Sequence, residues 1–149
     1  MTATTPSDFR VLLCDELPRD CLALLESEGI PYDLRTGMSA ETLEKTIGAY
    51  HAVIVRSSNR IDAPHFAAGK LLRVAVRAGV GVDNIDVEAA TRHGVIVMNT
   101  PDANTISTAE QTWTLILGLA RNLPAAVASV KRGEWDRKSW TGVELADKT

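Results

Sequence analysis

Five short apolar runs punctuate the first hundred residues, and each gives way to a stretch with helical character. They are Phe9–Cys14, Pro31–Arg35, Ala52–Val55, Leu71–Val76 and Val95–Met98. Runs this short and this uniformly apolar suit strands covered on both faces, as in a parallel sheet. Strands alternating with helices predict an open parallel sheet with helices on both sides, a flavodoxin-like doubly wound layout. In such sheets ligands gather outside the carboxyl ends of the strands.

The intervening segments carry helix punctuation. Pro18 suits a first turn and Gly29 a C-terminal cap, with Cys21, Leu22, Leu24 and Leu25 as the apolar face between them. Ser39 caps a second helix that buries Leu43 and Ile47, with Glu41 and Glu44 near its start. Asp62 caps a third, running to Lys70, and Asp86 a fourth over 87–93 that Gly94 ends. Pro31 places the second strand towards an edge, because proline donates nothing to a ladder.

Beyond Met98 the pattern changes. Asn99-Thr-Pro-Asp-Ala-Asn104 is a turn-rich link, and Ile106–Arg121 reads as a long helix. Ile106, Ala109, Trp113, Ile116, Leu117 and Ala120 form its apolar face. Pro124 kinks or interrupts it, Ala125–Lys131 continue it, and Gly133 stops it. A helix of this kind needs a partner chain or partner domain to cover it. The division is therefore one unit over 1–98 and a second over 99–149.

Size and composition narrow the function classes. The chain has 149 residues, 45% of them hydrophobic and 23% charged, with a net charge of −3. A sequence pI near 5.6 argues against a nucleic-acid footprint. No apolar run reaches the length of a membrane span. The leader MTATTPSD lacks a signal peptide's basic start and apolar stretch and reads as a frayed end. Cys14 and Cys21 have neither disulfide nor metal-ligand spacing and read as buried thiols in a reducing, cytoplasmic compartment.

Two strand ends carry the candidate chemistry. Arg56-Ser57 follows the third strand, and Arg77-Ala-Gly-Val-Gly81 follows the fourth. Gly79 and Gly81 let the backbone turn tightly, and a fixed guanidinium beside such a turn makes a small anion site. A surface ion pair at a strand end is the alternative reading of either arginine. Gly79-Val80-Gly81 is no dinucleotide fingerprint, since Asn84 stands where the third glycine belongs. Asp83 and Asn84 read as residues that fix the turn through bonds to its backbone. His51, His65 and His93 have no carboxylate or metal partner at telling spacing. No nucleophile elbow, P-loop or zinc motif is present.

Taken as a whole, Arg77-Ala-Gly-Val-Gly-Val-Asp-Asn-Ile-Asp86, Glu88–Arg92, Val97-Met-Asn-Thr-Pro101 and Asn104–Glu110 resemble the D-isomer-specific 2-hydroxyacid dehydrogenases. Ile54-Val-Arg-Ser57 and Lys131–Arg137 extend the resemblance, which runs from about Phe9 to Thr149. It implies that Arg56, Ser57, Arg77, Gly79, Val80, Gly81, Asn104 and Arg137 face a phosphorylated 2-hydroxy acid, the three turn residues through backbone N–H groups. Arg137 would reach the substrate of the neighbouring subunit.

Many relatives carry Thr where Val80 stands, so a hydroxyl contact to cofactor or substrate is lost there. The resemblance further implies an NAD-dependent enzyme that oxidises 3-phosphoglycerate in serine biosynthesis. Its catalytic Arg, Glu and His lie beyond Thr149, and a homodimer forms through 105–131. By that resemblance the chain stops before the glycine-rich nucleotide loop and catalyses nothing alone. Another member of the family, such as a glyoxylate or hydroxypyruvate reductase, is the nearest alternative. A flavodoxin-like signalling receiver and a non-catalytic dimerisation module are the others.

Overall fold

The computed structural model describes residues 8–148, so the leader expectation falls largely outside the described residues. The chain forms two compact units that meet between Ala103 and Asn104, within the turn-rich link.

The first unit is a five-stranded parallel sheet of order β2-β1-β3-β4-β5. Its strands are β1 Val11–Leu13, β2 Tyr32–Leu34, β3 Ala52–Val55, β4 Val74–Arg77 and β5 Ile96–Asn99. Between them run α1 Arg19–Ser27, α2 Ala40–Ile47, α3 Ala63–Ala68 and α4 Val87–Arg92. The expected doubly wound layout is the one observed, with β2 at an edge.

Alternation along each strand sorts the core into two layers. Leu12, Val53, Val55 and Ala75 face α2, α3 and α4, packing with Leu43, Ile47, Phe66, Ala89 and Ala90. Val11, Leu13 and Ala52 face the other way, against Leu22 and Leu25 of α1. Burying each Val, Leu, Ile or Phe side chain among them contributes about 1.5–3 kcal/mol. The α1 layer does not reach across the sheet. Ile96 and Met98 of β5 are exposed, and Val74 and Val76 are half-buried.

Local chemistry explains the helix starts. Ser39 Oγ accepts the Thr42 N–H at 3.2 Å, and Asp86 Oδ1 accepts the Ala89 N–H at 2.8 Å. Buried His65 ties two helix starts together. Its Nδ1 accepts the Asp62 N–H at 3.1 Å, while Nε2 bonds the Ala40 carbonyl at 3.1 Å. A ring that accepts at one nitrogen and donates at the other is the neutral tautomer.

Three expectations need correction. β4 begins at Val74 rather than Leu71, because Gly69–Leu72 form a turn in which Leu72 N–H bonds Gly69 O at 3.0 Å. Leu72 still reaches the core from that turn, whereas Leu71 is exposed. On α1, Cys21 and Leu24 are exposed, since the covered stripe is centred on Leu22 and Leu25 alone. Of the two thiols only Cys14 is buried.

The second unit contains α5 Thr105–Ala120 and α6 Leu123–Lys131, bent by 67°. Pro124 sits in the first turn of α6, where its missing N–H does no harm. The break comes instead at Asn122, which adopts a left-handed φ of 51°. α5 has no buried residue, and Leu115 and Leu119 are exposed beside Trp113 and Ile116. Beyond the expected face, the last two turns of α5 thus carry further apolar side chains, Leu115 and Leu119, on other sides of the helix. No single helix here is long and apolar enough to cross a membrane.

The segment after α6 folds back on the break. Val143 N–H bonds Ala120 O at 2.8 Å, and a Cβ on Gly142 would lie 2.6 Å from Arg121 Cα. Only glycine permits that approach.

Candidate anion site

Parallel register brings the two arginine-bearing strand ends side by side. Val55 pairs with Arg77, so Arg56 emerges one residue beyond the level of Arg77. Arg77 is also level with Asn99 at the end of β5. Arg56, Ser57, Arg77, Gly79, Val80 and Gly81 therefore gather at the carboxyl edge of the sheet, where the topology places ligands.

The turn after β4 wraps its own arginine. Ala78 N–H continues the ladder to Val55 O at 2.8 Å, and Gly79 N–H then bonds back to Arg77 O at 2.9 Å. Arg77 Nη1 donates to Gly81 O at 2.5 Å and to Asp83 Oδ1 at 3.0 Å, and its Nε donates to Arg56 O at 3.3 Å. A Cβ on Gly81 would lie 3.0 Å from Asp83 Oδ1 and 3.2 Å from Arg77 Nη1. A larger residue there would push both side chains outward by a few tenths of an ångström.

Asn99 Nδ2 bonds Val80 O at 2.6 Å and Thr100 N–H bonds Gly79 O at 3.0 Å, pinning the turn to the end of β5. The Val80 and Gly81 N–H groups donate to no backbone carbonyl among the described residues, whereas Gly79's is engaged.

Arg56 and Ser57 line a cleft of about 430 Å³ with Asp15, Glu16, Thr36, Gly37 and Ser58. Arg56 Nη1 reaches Glu16 O at 3.5 Å. Asn84 and Asp83 do not bond the backbone of the glycine turn as expected: Asp83 accepts from the Arg77 side chain, and Asn84 reaches across to the loop after β3. Its Nδ2 donates to Arg56 O at 2.7 Å and to Asn59 O at 2.6 Å. Asn59 Nδ2 in turn donates to Cys14 O at 3.0 Å.

Asp15, Asn59 and Asn84 thus bind three strand ends together, and sequence reasoning did not assemble them. The available signal was the parallel strand itself, whose last carbonyls need donors from outside the ladder.

Asn104 and Arg137 belong to the second unit. Asn104 occupies the N-cap of α5 but makes no side-chain cap bond. Arg137 is exposed beside a groove lined by Trp135, Trp140, Ser129 and Val130. Ser129 Oγ and a bidentate Arg132 both donate to Glu134, fixing the turn that leads to it.

The three histidines are engaged elsewhere. His51 stacks on Phe9 at 5.2 Å, His65 links α2 to α3, and His93 is the C-cap of α4. Among the described residues no group of three His, Cys, Asp or Glu side chains is placed to hold a metal. Nor does the glycine turn fit a dinucleotide. Arg77 packs against the turn, and α4 does not begin until Val87.

An open parallel sheet of five strands with helices on both faces defines an α/β domain of the doubly wound class. The chain belongs to the D-isomer specific 2-hydroxyacid dehydrogenases, whose catalytic-domain model matches residues 11–141.

It is 44% identical over 141 residues to D-3-phosphoglycerate dehydrogenase of Archaeoglobus fulgidus, covering 95% of this chain and 27% of that protein. The human D-3-phosphoglycerate dehydrogenase is 43% identical over 140 residues, covering 94% and 26%. The chain spans about a quarter of the length of these curated relatives. Among solved structures, a Thermus thermophilus protein superposes with a TM-score of 0.80 at 31% identity, over 92% of this chain and 46% of that one. An NAD+-bound 3-phosphoglycerate dehydrogenase of Entamoeba histolytica gives 0.71 at 28%, over 93% and 43%. A receiver is ruled out by this membership and by Arg56, which stands where a receiver's phosphoacceptor Asp would follow β3.

Proposed function

We propose that this chain is the substrate-binding portion of an NAD-dependent dehydrogenase that oxidises 3-phosphoglycerate to 3-phosphohydroxypyruvate, the first step of serine biosynthesis. One observation carries the reading. Arg77 Nε donates to the backbone carbonyl of Arg56 at 3.3 Å, which ties two arginines from adjacent strand ends together at the edge where such sheets bind ligands. Two guanidiniums suit an acid that bears both a carboxylate and a phosphate. Identity to D-3-phosphoglycerate dehydrogenases supports the choice of acid.

In the reaction, the C2 hydride passes to the nicotinamide and the hydroxyl proton to a base. Neither acceptor is among the described residues. The role of Arg56, Ser57, Arg77 and the free N–H groups of Val80 and Gly81 is to bind and orient the acid. Asn104 and Arg137 would approach it from the second unit. The chain alone binds substrate weakly and transfers no hydride.

Two further parts of the reading rest on surface and thiol chemistry. The apolar surface of 105–131, with Ile106, Trp113, Leu119 and Val130 exposed, supports a homodimer through these helices. Two free cysteines support a cytoplasmic setting.

Competition between acids tests the assignment. The chain is titrated with 3-phosphoglycerate, then with unphosphorylated D-glycerate and with glyoxylate. Tighter binding of the phosphorylated acid is expected. Equal or tighter binding of glyoxylate would move the protein to the reductase branch of the family.

A further inference from the structure

Arg56 is held at both ends of its own backbone by side chains from the two flanking loops. Its N–H donates to Oδ2 of Asp15 at 2.6 Å, after β1. Its carbonyl accepts Nδ2 of Asn84 at 2.7 Å, after β4, and Nε of Arg77 at 3.3 Å. Asp15 is 8% and Asn84 9% exposed. The peptide of Arg56 therefore sets where its own side chain leaves β3 and takes one of the three bonds of the Arg77 guanidinium, beside those to Gly81 O and Asp83.

The amide of Asn84 is fixed in orientation, because both of its hydrogens go to carbonyls, Arg56 O and Asn59 O. Its Oδ1 is buried and has no partner. A buried acceptor without a donor weakens the fold. Asp15 is likewise a buried carboxylate with a directed task. Its short bond to Arg56 N–H sets where the arginine leaves β3.

We propose that Asp15 and Asn84 are positioning residues of the anion site, setting the separation at which Arg56 and Arg77 meet a ligand. The inference rests on the reading of this edge as the 3-phosphoglycerate site. Neither residue is assigned a contact with the ligand. Removing Asn84 leaves Arg56 O with only the longer bond from Arg77, and both side chains lose their shared reference.

The test is calorimetric titration of the 149-residue chain with 3-phosphoglycerate, with melting temperature measured in parallel. Asn84→Ala and Asp15→Ala are each expected to weaken binding about tenfold. Asp15→Asn keeps an oxygen that accepts the Arg56 N–H and restores affinity to within about threefold of the parent chain. Asn59→Ala removes the bond to Cys14 O and lowers the melting temperature while leaving affinity unchanged.

Equal affinity losses in Asn59→Ala and Asn84→Ala would show mere scaffolding and overturn the proposal. If Asn84→Ala does not fold, the Asp15 pair decides, and equal binding by Asp15→Ala and Asp15→Asn overturns it. A parent chain that fails to bind 3-phosphoglycerate overturns the functional reading and this inference together. Parent binding with unaffected variants overturns this inference alone.

Discussion

Nη1 of Arg77 lies 3.0 Å from Oδ1 of Asp83, and the two side chains are unequally placed, at 17% and 85% exposed. The site's more buried arginine already holds an anion, and that anion stands in solvent on the short loop before α4. On the proposed function, an incoming carboxylate or phosphate would meet Asp83 as a competitor for the same guanidinium.

Removing that competitor should favour the ligand. Asp83→Asn is expected to raise 3-phosphoglycerate affinity by up to about fivefold, the range of an exposed ion pair. Calorimetry at low and high salt checks this, with the gain shrinking as salt screens the pair. A loss of affinity would mean instead that Asp83 holds Arg77 ready for the ligand.

The two thiols should behave as opposites. Burial, reinforced by the neighbouring Asp15, pushes the Cys14 thiol up to about 12, whereas Cys21 is exposed on α1. An aromatic disulfide reagent at neutral pH is expected to titrate one thiol per native chain and two in denaturant. The sign for stability follows from the raised value. The contribution of Cys14 is complete below the ordinary value of 9.0 and is lost as pH rises towards 12, where the unfolded thiol ionises first. Rapid modification of both thiols in the native chain would contradict the packing of β1.

Acid stability has a local source at the other edge of the sheet. The Tyr50 hydroxyl donates to Asp33 Oδ2 at 2.6 Å, and Arg10 Nη2 donates to the same oxygen at 2.7 Å. The Tyr50 bond, then the Arg10 charge, hold the Asp33 carboxyl below its ordinary 3.8 despite some desolvation. A depressed carboxyl stabilises the fold above its unfolded value, and that stability disappears as pH falls through the folded value. Tyr50→Phe should therefore be less stable than the parent at neutral pH, with the gap narrowing towards about pH 3. Urea unfolding at both pH values measures it, and a gap that widens in acid would refute the assignment.

The sheet was legible because its signals are local. Runs such as Ala52–Val55 and caps such as Ser39 and Asp86 act within a few residues, and each does what its chemistry implies. Misreadings arose where packing decided between equal candidates. Leu71 and Leu72 are both apolar, yet a turn fixed by Gly69 leaves only Leu72 inside. Cys21 and Leu24 lie on the side of α1 that meets no strand.

At the site, arginines after strands were readable from composition and order, but their support was not. Asp15 and Arg56 are 41 residues apart, and Asn84 and Arg56 are 28 apart. Nothing in the chain order marks which carbonyl a distant amide will satisfy. Register alone brings those partners together.

The central claim is that Arg56 and Arg77 act together as one anion site. The most direct measurement follows the side-chain Nε–H signals of both arginines by NMR as 3-phosphoglycerate is added to the chain. Both signals are predicted to shift along a single binding curve, with the Arg56 shift reduced at least about tenfold in affinity by Arg77→Ala. Signals that stay fixed on addition of the ligand, or an Arg56 shift that survives Arg77→Ala undiminished, would contradict the account.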